Sequence, residues 1–277
     1  METPHGQTMM TNDARPPHMS ERSGLADRVR EVKVSYWVFG LSFGYLVASF
    51  LVPALLPTGT IPELSGRANL FDYASDSSWG NQPHSDEGSV GHDQAAHGGK
   101  FSWLELDPFS AFVYGFGDLN CHQKYERSLI INGNQMPVCT RDIGIFAGIA
   151  FAALLFSRRG ANRWTIRDTI LSVFPDERVE WCYVPDRRFM VAFGGIALLL
   201  LPTALDGGLQ AITDYESTNL KRLLTGFPMG LSIGLLFSAM FAAHPKSFEF
   251  DAGRVLLPLN ARLVPSTDDA PPDDAEE

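Results

Sequence analysis

The chain has 277 residues, with 22 Lys and Arg against 32 Asp and Glu, so its formal net charge is −10. A negative chain without a basic face is not expected to bind nucleic acid, and three cysteines are too few for a disulfide-rich secreted scaffold. The hydrophobic residues, 45% of the total, lie mostly in long apolar blocks, which excludes a wholly disordered chain. These blocks predict an all-α, polytopic membrane protein with four transmembrane helices.

The amino-terminal residues 1–33 are polar, and we predict that they are cytoplasmic and mostly disordered. The first apolar block begins at Val34 and predicts a transmembrane helix over residues 34–57. Pro53 and Pro57 are expected to end or kink this helix. No small-residue cleavage site follows it, so we expect an uncleaved signal anchor.

Residues 58–107 are predicted to form an acidic outer loop that is rich in His and Gly. The stretch from Glu63 to Asp107 holds eight acidic and two basic residues. His84, His92 and His97 lie near several of these acids, but no spacing among them fixes a coordination geometry. A solvated, flexible insertion is therefore favoured over a metal-collecting loop.

Residues 108–243 are predicted to form a membrane domain with three further transmembrane helices, over the apolar blocks 143–157, 189–205 and 223–243. Each block carries a pair of glycines that favours close helix packing: Gly144 and Gly148, Gly194 and Gly195, Gly230 and Gly234. The apolar stretch 108–117 is too short to span and predicts an interfacial or re-entrant helix, with a fifth span as the alternative. Residues 244–277 are predicted to form a cytoplasmic acidic tail.

Lys and Arg near the ends of the four blocks predict the orientation. With four spans, three basic groups lie on one side: Arg28, Arg30 and Lys33; the seven arginines between 158 and 188; and Lys246 with Arg254. Because positive loops stay in the cytoplasm, we expect a multi-pass plasma-membrane protein with both termini cytoplasmic.

Two polar stretches, residues 120–144 and 206–226, would then meet at the outer face of the membrane. The neighbouring apolar blocks are short, so their flanking charges are drawn towards apolar depth, where ionisable groups usually pair. We predict a recessed pocket in which Arg141 or Arg222 neutralises an acid; simple snorkelling at helix ends is the alternative. The neutralised acid would be one of Asp142, Asp206 and Glu216. The ligand-binding candidates are Arg127, Arg141, Gln210, Asn219 and Arg222, and the acid–base candidates are Asp206, Glu216 and His122.

Cys121 and Cys139 would lie at the same face, and three interpretations stay open. They could form a disulfide bond, which is natural in an oxidising compartment. They could instead join His122 and Asp142 as metal ligands, a set of sulfur, nitrogen and oxygen donors that Zn²⁺ accepts. Separate thiols are the third interpretation.

These residues also carry a family resemblance. The chain reads CHQ…RS from Cys121, QMPVC-x-R-x-x-G from Gln135, and DG-x-x-Q…ES-x-N-x-x-R-x-x-TG from Asp206. Over roughly residues 105–243 it resembles a family of uncharacterised predicted membrane proteins, a domain of unknown function. The resemblance implies a shared membrane domain and no particular activity. The family often has a second cysteine where this chain has Asp142, which weakens an all-cysteine metal site and leaves a mixed one.

Three functions are compatible with the sequence. In each of them the protein is embedded in the lipid bilayer, and a homo-oligomer is possible in each. The first is an outer pocket that binds or modifies a lipid-phosphate head group, with or without a metal such as zinc. The second is a structural or assembly protein. The third is a small transporter or channel subunit, which is disfavoured because the polar residues cluster at one end of the spans. The sequence does not decide whether the protein is an enzyme.

Overall fold

The computed structural model describes residues 28–66, 70–83, 94, 98–261 and 263. Three predictions lie outside these residues. They are the disorder of most of the amino-terminal segment, the surroundings of His84, His92 and His97, and the acidic tail from residue 265 onwards.

Four helices in the described part of the chain are long and apolar enough to cross a bilayer. They are α1 (Val29–Leu55), α3 (Thr140–Arg159), α6 (Arg188–Ile212) and α7 (Asn219–Ala242). Three shorter helices are α2 (Pro108–Asn120), α4 (Ile166–Leu171) and α5 (Asp176–Val179). The prediction of a mostly helical, four-span membrane protein is confirmed.

The long helices extend beyond the apolar blocks, and this extension positions the polar residues. Helix α6 continues past Leu205 through Asp206 and Gln210. Helix α7 begins at Asn219, where the Thr218 hydroxyl caps it by accepting a hydrogen bond from the amide of Lys221 at 3.3 Å. Asp206, Gln210 and Arg222 therefore project from helices and not from loops.

Helix α2 occupies the short apolar stretch. The Asp107 carboxylate caps its first turn by accepting hydrogen bonds from the amides of Phe109 and Ser110, and Pro108 fills the first helical position. Its 13 residues span about 20 Å, against a hydrocarbon core of about 30 Å. It is too short to serve as a fifth span.

A β-hairpin follows α2, and the sequence analysis did not predict it. Strands β1 (Ser128–Ile131) and β2 (Asn134–Cys139) pair in antiparallel fashion and are joined by Asn132 and Gly133. Both turn residues have positive φ, 51° and 70°, which is why an Asn-Gly pair suits this tight turn. The described fold is all-α apart from this hairpin.

Helices α3 and α7 form the tightest contact of the bundle. A methyl group added at Gly148 would lie 2.2 Å from the carbonyl oxygen of Phe227, and one at Gly230 would lie 2.1 Å from that of Ile145. The two backbones touch because these glycines carry no side chain, as predicted for them. Gly194 and Gly195 behave differently, since nothing lies within 4 Å of a methyl group added there. Helix α6 is peripheral, since only 11% of its most apolar stretch is buried within the protein.

Candidate functional site

A polar cavity of about 380 Å³ lies where the amino ends of α3 and α7 meet the carboxyl ends of α2 and α6. We call this the cavity end of the bundle. The lining residues come from both polar stretches: Asn120, Cys121, His122, Lys124, Arg127, Cys139, Arg141, Asp142, Gly207, Gln210, Ala211 and Arg222. The structure thus brings together two clusters that are about 70 residues apart in the sequence.

Asp206 lies behind the cavity wall, where its side chain is only 7% exposed. It forms an ion pair with Arg141 and accepts hydrogen bonds from Gln210 at 2.9 Å and the Tyr215 hydroxyl at 3.1 Å. A buried carboxylate needs partners of this kind to remain charged. The structure therefore contains the predicted pairing of Arg141 with an acid, and that acid is Asp206.

Arg222 is almost fully buried and continues this network on α7. Its guanidinium donates to the Gln210 side-chain oxygen at 2.6 Å, to Glu216 at 3.1 Å and to the backbone oxygen of Ser217 at 2.9 Å. The other carboxylate oxygen of Glu216 accepts a hydrogen bond from Arg127, also at 3.1 Å. One carboxylate therefore serves two guanidinium groups.

Glu216 itself is outside the spans and its side chain is 64% exposed. Burial is the largest single influence on the pKa of Glu216, and alone it would raise that pKa. The hydrogen bond and charge of Arg127, with Lys124 and Arg222 nearby, outweigh burial and hold this pKa below its ordinary value. Glu216 is therefore a carboxylate at neutral pH and a counter-ion to the arginines.

The inner wall of the cavity is positively charged. Four basic side chains line it, namely those of Lys124, Arg127, Arg141 and Arg222, whereas Asp142 is the lining carboxylate. Lys124 is 3.9 Å from Glu126, a distant ion pair. The buried Nε atoms of Arg127 and Arg141 have no hydrogen-bond partner among the described residues. Donors and charges of this kind are suited to holding an anion.

Cys121, Cys139 and Asp142 form a second cluster in the same cavity. Their sulfur and oxygen atoms all lie within 4.8 Å of one another. The Cys139 thiol donates to Asp142 at 3.1 Å, and the Cys121 sulfur accepts from the backbone amides of Cys139 at 3.2 Å and Gln123 at 3.4 Å. The two cysteines are not joined by a disulfide bond in the structure. The side-chain hydrogen bond between the two thiols, burial and the charge of Asp142 raise the pKa of the Cys121 thiol.

Buried amide side chains fix the position of Cys121. Gln123 has a left-handed backbone with φ of 51° and donates from its side chain to the oxygen of Pro137 at 3.0 Å. Gln135 donates in return to the oxygen of Gln123 at 2.8 Å. This exchange ties the segment after α2 to strand β2, so Cys121 faces Cys139 at the strand end.

Two predicted site residues stand apart from these clusters. His122 is exposed and lines the cavity, but it does not belong to the three-donor group. Asn219 accepts a hydrogen bond from the Thr140 hydroxyl at 3.1 Å and does not line the cavity. The sequence analysis missed Lys124, Asn120 and Tyr215, although each is next to, or two residues from, a residue that it selected.

Most residues that line the cavity lie in a part of the chain that is similar in sequence to other proteins. Residues 121–236 match the model of a family described as "Predicted membrane protein (DUF2085)". An uncharacterized protein of Methanothermobacter thermautotrophicus is 29% identical over 116 residues, which are 42% of this chain and 82% of the relative. The uncharacterized protein MJ1492 of Methanocaldococcus jannaschii is 28% identical over 140 residues, 50% of this chain and 71% of the relative.

No solved structure matches the chain significantly. The matched residues begin at Cys121 and include the lining residues on α3, α6 and α7. The resemblance indicated by the motifs is confirmed: the membrane domain of this chain resembles the DUF2085 family of predicted membrane proteins.

Proposed function

We propose that this protein binds the phosphate head group of a membrane amphiphile in the cavity, at the extracytoplasmic face. The observation that carries the proposal is that Arg127 and Arg222 share the single carboxylate of Glu216 beside an open volume of about 380 Å³. A phosphate oxygen is a suitable acceptor for guanidinium donors whose charge is only partly compensated. The cavity is at the ends of spanning helices, where lipid head groups are found.

The positions of basic residues support the orientation. Arg28, Arg30 and Lys33 lie at the start of α1, and Arg158 and Arg159 end α3, at the end of the bundle opposite to the cavity. Positive charge marks the cytoplasmic side, so both termini are cytoplasmic and the cavity is outside. In this arrangement the protein is a multi-pass component of the plasma membrane.

The network assigns different tasks to the three acid–base candidates. Asp206 and Glu216 are engaged by arginines, so their role is to hold those arginines in place. His122 is exposed at the cavity, and histidine is the residue type that most often exchanges a proton in catalysis, so a reaction at this site would use it as the base.

The test is lipid binding to detergent-purified protein, measured by native mass spectrometry. We expect dioleoyl phosphatidic acid, which has a phosphate monoester, to bind more tightly than phosphatidylcholine. Arg127→Gln should weaken phosphatidic acid binding about tenfold, the loss of one charge-assisted hydrogen bond. The matched control is Arg178→Gln, an exposed arginine outside the cavity. Equal binding of both lipids, or equal binding by both variants, would contradict the proposal.

A metal centre formed by Cys121, Cys139 and Asp142 is the second part of the proposal. Two thiolates and one carboxylate are donors that Zn²⁺ accepts, and the amide hydrogen bonds to the Cys121 sulfur are of the kind that supports a metal-bound thiolate. The raised pKa of Cys121 means that metal binding must displace the proton of the Cys121 thiol. A metal held by three protein ligands would leave a position for a phosphate oxygen.

Metal content of the purified protein tests this centre. We expect about one metal ion per chain in the wild type, and its loss in Cys139→Ser and Asp142→Ala. Cys182→Ser is the control because Cys182 is buried away from the cavity and donates to the oxygen of Val179. A metal-free protein with a Cys121–Cys139 disulfide would instead support the cross-linked alternative.

A structural role is the second candidate function. The observation that favours it is the continuous chain of side-chain contacts from Arg141 through Asp206, Gln210, Arg222 and Glu216 to Arg127, which joins three helices to the hairpin segment. If that is its whole purpose, substitutions will lower the amount of folded protein and leave lipid preference unchanged.

A further inference from the structure

An apolar groove of about 640 Å³ lies between α1, α2, α3 and α7. Its walls are aromatic and aliphatic side chains with two glycines, Gly40 and Gly44, on α1. Its two hydroxyl groups are already bonded to the backbone: Ser42 donates to the oxygen of Val38 at 2.7 Å, and Tyr45 to that of Val113 at 3.2 Å. The groove therefore offers a hydrocarbon surface without a free donor.

The groove and the polar cavity follow one another along the same two helices. On α2, Phe116 lines the groove and Asn120, one turn later, lines the cavity. On α3, Asp142 lines the cavity and Phe146, one turn later, lines the groove. Four residues of an α-helix are about 6 Å long, so the polar cavity and the apolar groove are neighbours.

An aromatic cluster marks the end of the groove that is nearest to the cavity. The ring of Tyr45 lies 4.6 Å from that of Phe116 and 4.8 Å from that of Phe146, between ring centres. Beyond these rings the groove continues beside Gly40 and Gly44, where a methyl group added to either glycine would meet nothing within 4 Å. The space beside α1 is open because these positions have no side chain.

We infer that this groove holds the hydrocarbon chain of a single-chain lipid monophosphate whose head group occupies the cavity. The inference rests on the proposed function and adds the class of ligand. The cationic cavity provides the charge complementarity for the phosphate, and the adjoining groove provides apolar surface for one chain. A lipid of this shape places its head group in the cavity and its one chain in the neighbouring groove, whereas a two-chain lipid leaves one chain outside the groove.

The test uses farnesyl phosphate, dodecyl phosphate and inorganic phosphate as probes, with the full-length protein in detergent. Gly44→Leu places a side chain in the groove without striking the backbone, and leucine favours helix more than glycine does. We expect Gly44→Leu to weaken farnesyl phosphate binding about tenfold, as when roughly two methylene groups can no longer be buried. Gly40→Leu is a second variant on the same wall and should act in the same direction.

Gly195→Leu is the matched control, because Gly195 also has open space around it but lies on the peripheral helix α6. Dodecyl phosphate tests whether the groove prefers an isoprenoid chain to a straight one. Equal binding of dodecyl phosphate and farnesyl phosphate would mean that the groove accepts either kind of single chain. Unchanged farnesyl phosphate binding in both groove variants, with binding still dependent on Arg127, overturns the groove and leaves the proposed function standing. If no phosphate probe binds and phosphatidic acid shows no preference, both proposals are wrong.

Discussion

The two ends of the helix bundle bury arginines in different ways. At the end opposite to the cavity, Arg188 is 2% exposed and lies against two carboxylates, those of Asp168 and Asp186. Its guanidinium is also 5.3 Å from the centre of the Tyr183 ring. At the cavity end Arg222 is equally buried but shares its carboxylate, Glu216, with Arg127.

The surroundings of these arginines also differ between the two ends of the bundle. Asp168 is completely buried, and the apolar residues near it, including Tyr183 and Cys182, belong to a packed hydrophobic cluster. The arginines at the cavity end border an open volume instead. Buried charges with complete partners are a way to fix a structure, whereas charges with incomplete partners beside a cavity are a way to bind something. This difference is why we assign ligand binding to one end alone.

The largest expected effect is on the stability of the end opposite to the cavity, where Arg188 has two carboxylate partners. Asp168→Ala removes a buried partner of Arg188 and should lower the free energy of unfolding by about 3–5 kcal/mol. Asp214→Ala, which removes an exposed carboxylate, should change it by less than about 0.5 kcal/mol. Denaturant unfolding in detergent measures both. An Asp168→Ala variant as stable as the wild type would mean that the two ends do not differ as described.

A smaller effect is expected on binding at the cavity end. Glu216→Gln removes the carboxylate that both Arg127 and Arg222 contact at 3.1 Å. The freed guanidinium charges should bind phosphatidic acid roughly fivefold more tightly, which corresponds to about 1 kcal/mol of repulsion removed. Native mass spectrometry with the same lipids measures the change. A loss of binding would show that Glu216 is needed to hold Arg127 and Arg222 in place, and that its charge does not compete with the ligand.

The sequence predicted the polar residues of the cavity end but not their arrangement. Long apolar blocks are enough to place four helices, and short blocks with charged flanks are enough to predict that Arg141 or Arg222 pairs with an acid. That the acid is Asp206 could not be deduced, since Asp142 is adjacent in sequence and equally charged. The choice depends on α6 continuing through Asp206, beyond its apolar block.

Local backbone geometry explains the other differences. The Asn132–Gly133 turn was present in the sequence, but the strands beside it lack a strong alternation of apolar and polar residues. His122 follows Cys121, which has extended backbone angles, φ of −123° and ψ of 150°. Neighbouring side chains on extended backbone point in opposite directions, so His122 does not join the group formed by Cys121, Cys139 and Asp142.

The smallest expected effect is the pH dependence of stability at the cavity end. The pKa of Glu216 is lower in the folded protein than in the unfolded chain, where it is about 4.3. A depressed carboxyl pKa gives stability that is fully present above the unfolded pKa and is lost as pH falls through the folded pKa. Because the side chain is 64% exposed, this contribution should be below about 1 kcal/mol.

Glu216→Gln isolates the contribution of this one carboxylate. The stability difference between wild type and variant should be constant above about pH 5 and should shrink towards zero as the pH falls below about 4. Asp214→Asn, at an exposed carboxylate without an ion pair among the described residues, is the matched control and should show a smaller change. A difference that persists in acid would mean that Glu216 acts through packing and not through its charge. The charge-sharing at the cavity end, on which the assignment of an anion site depends, would then lose its physical basis.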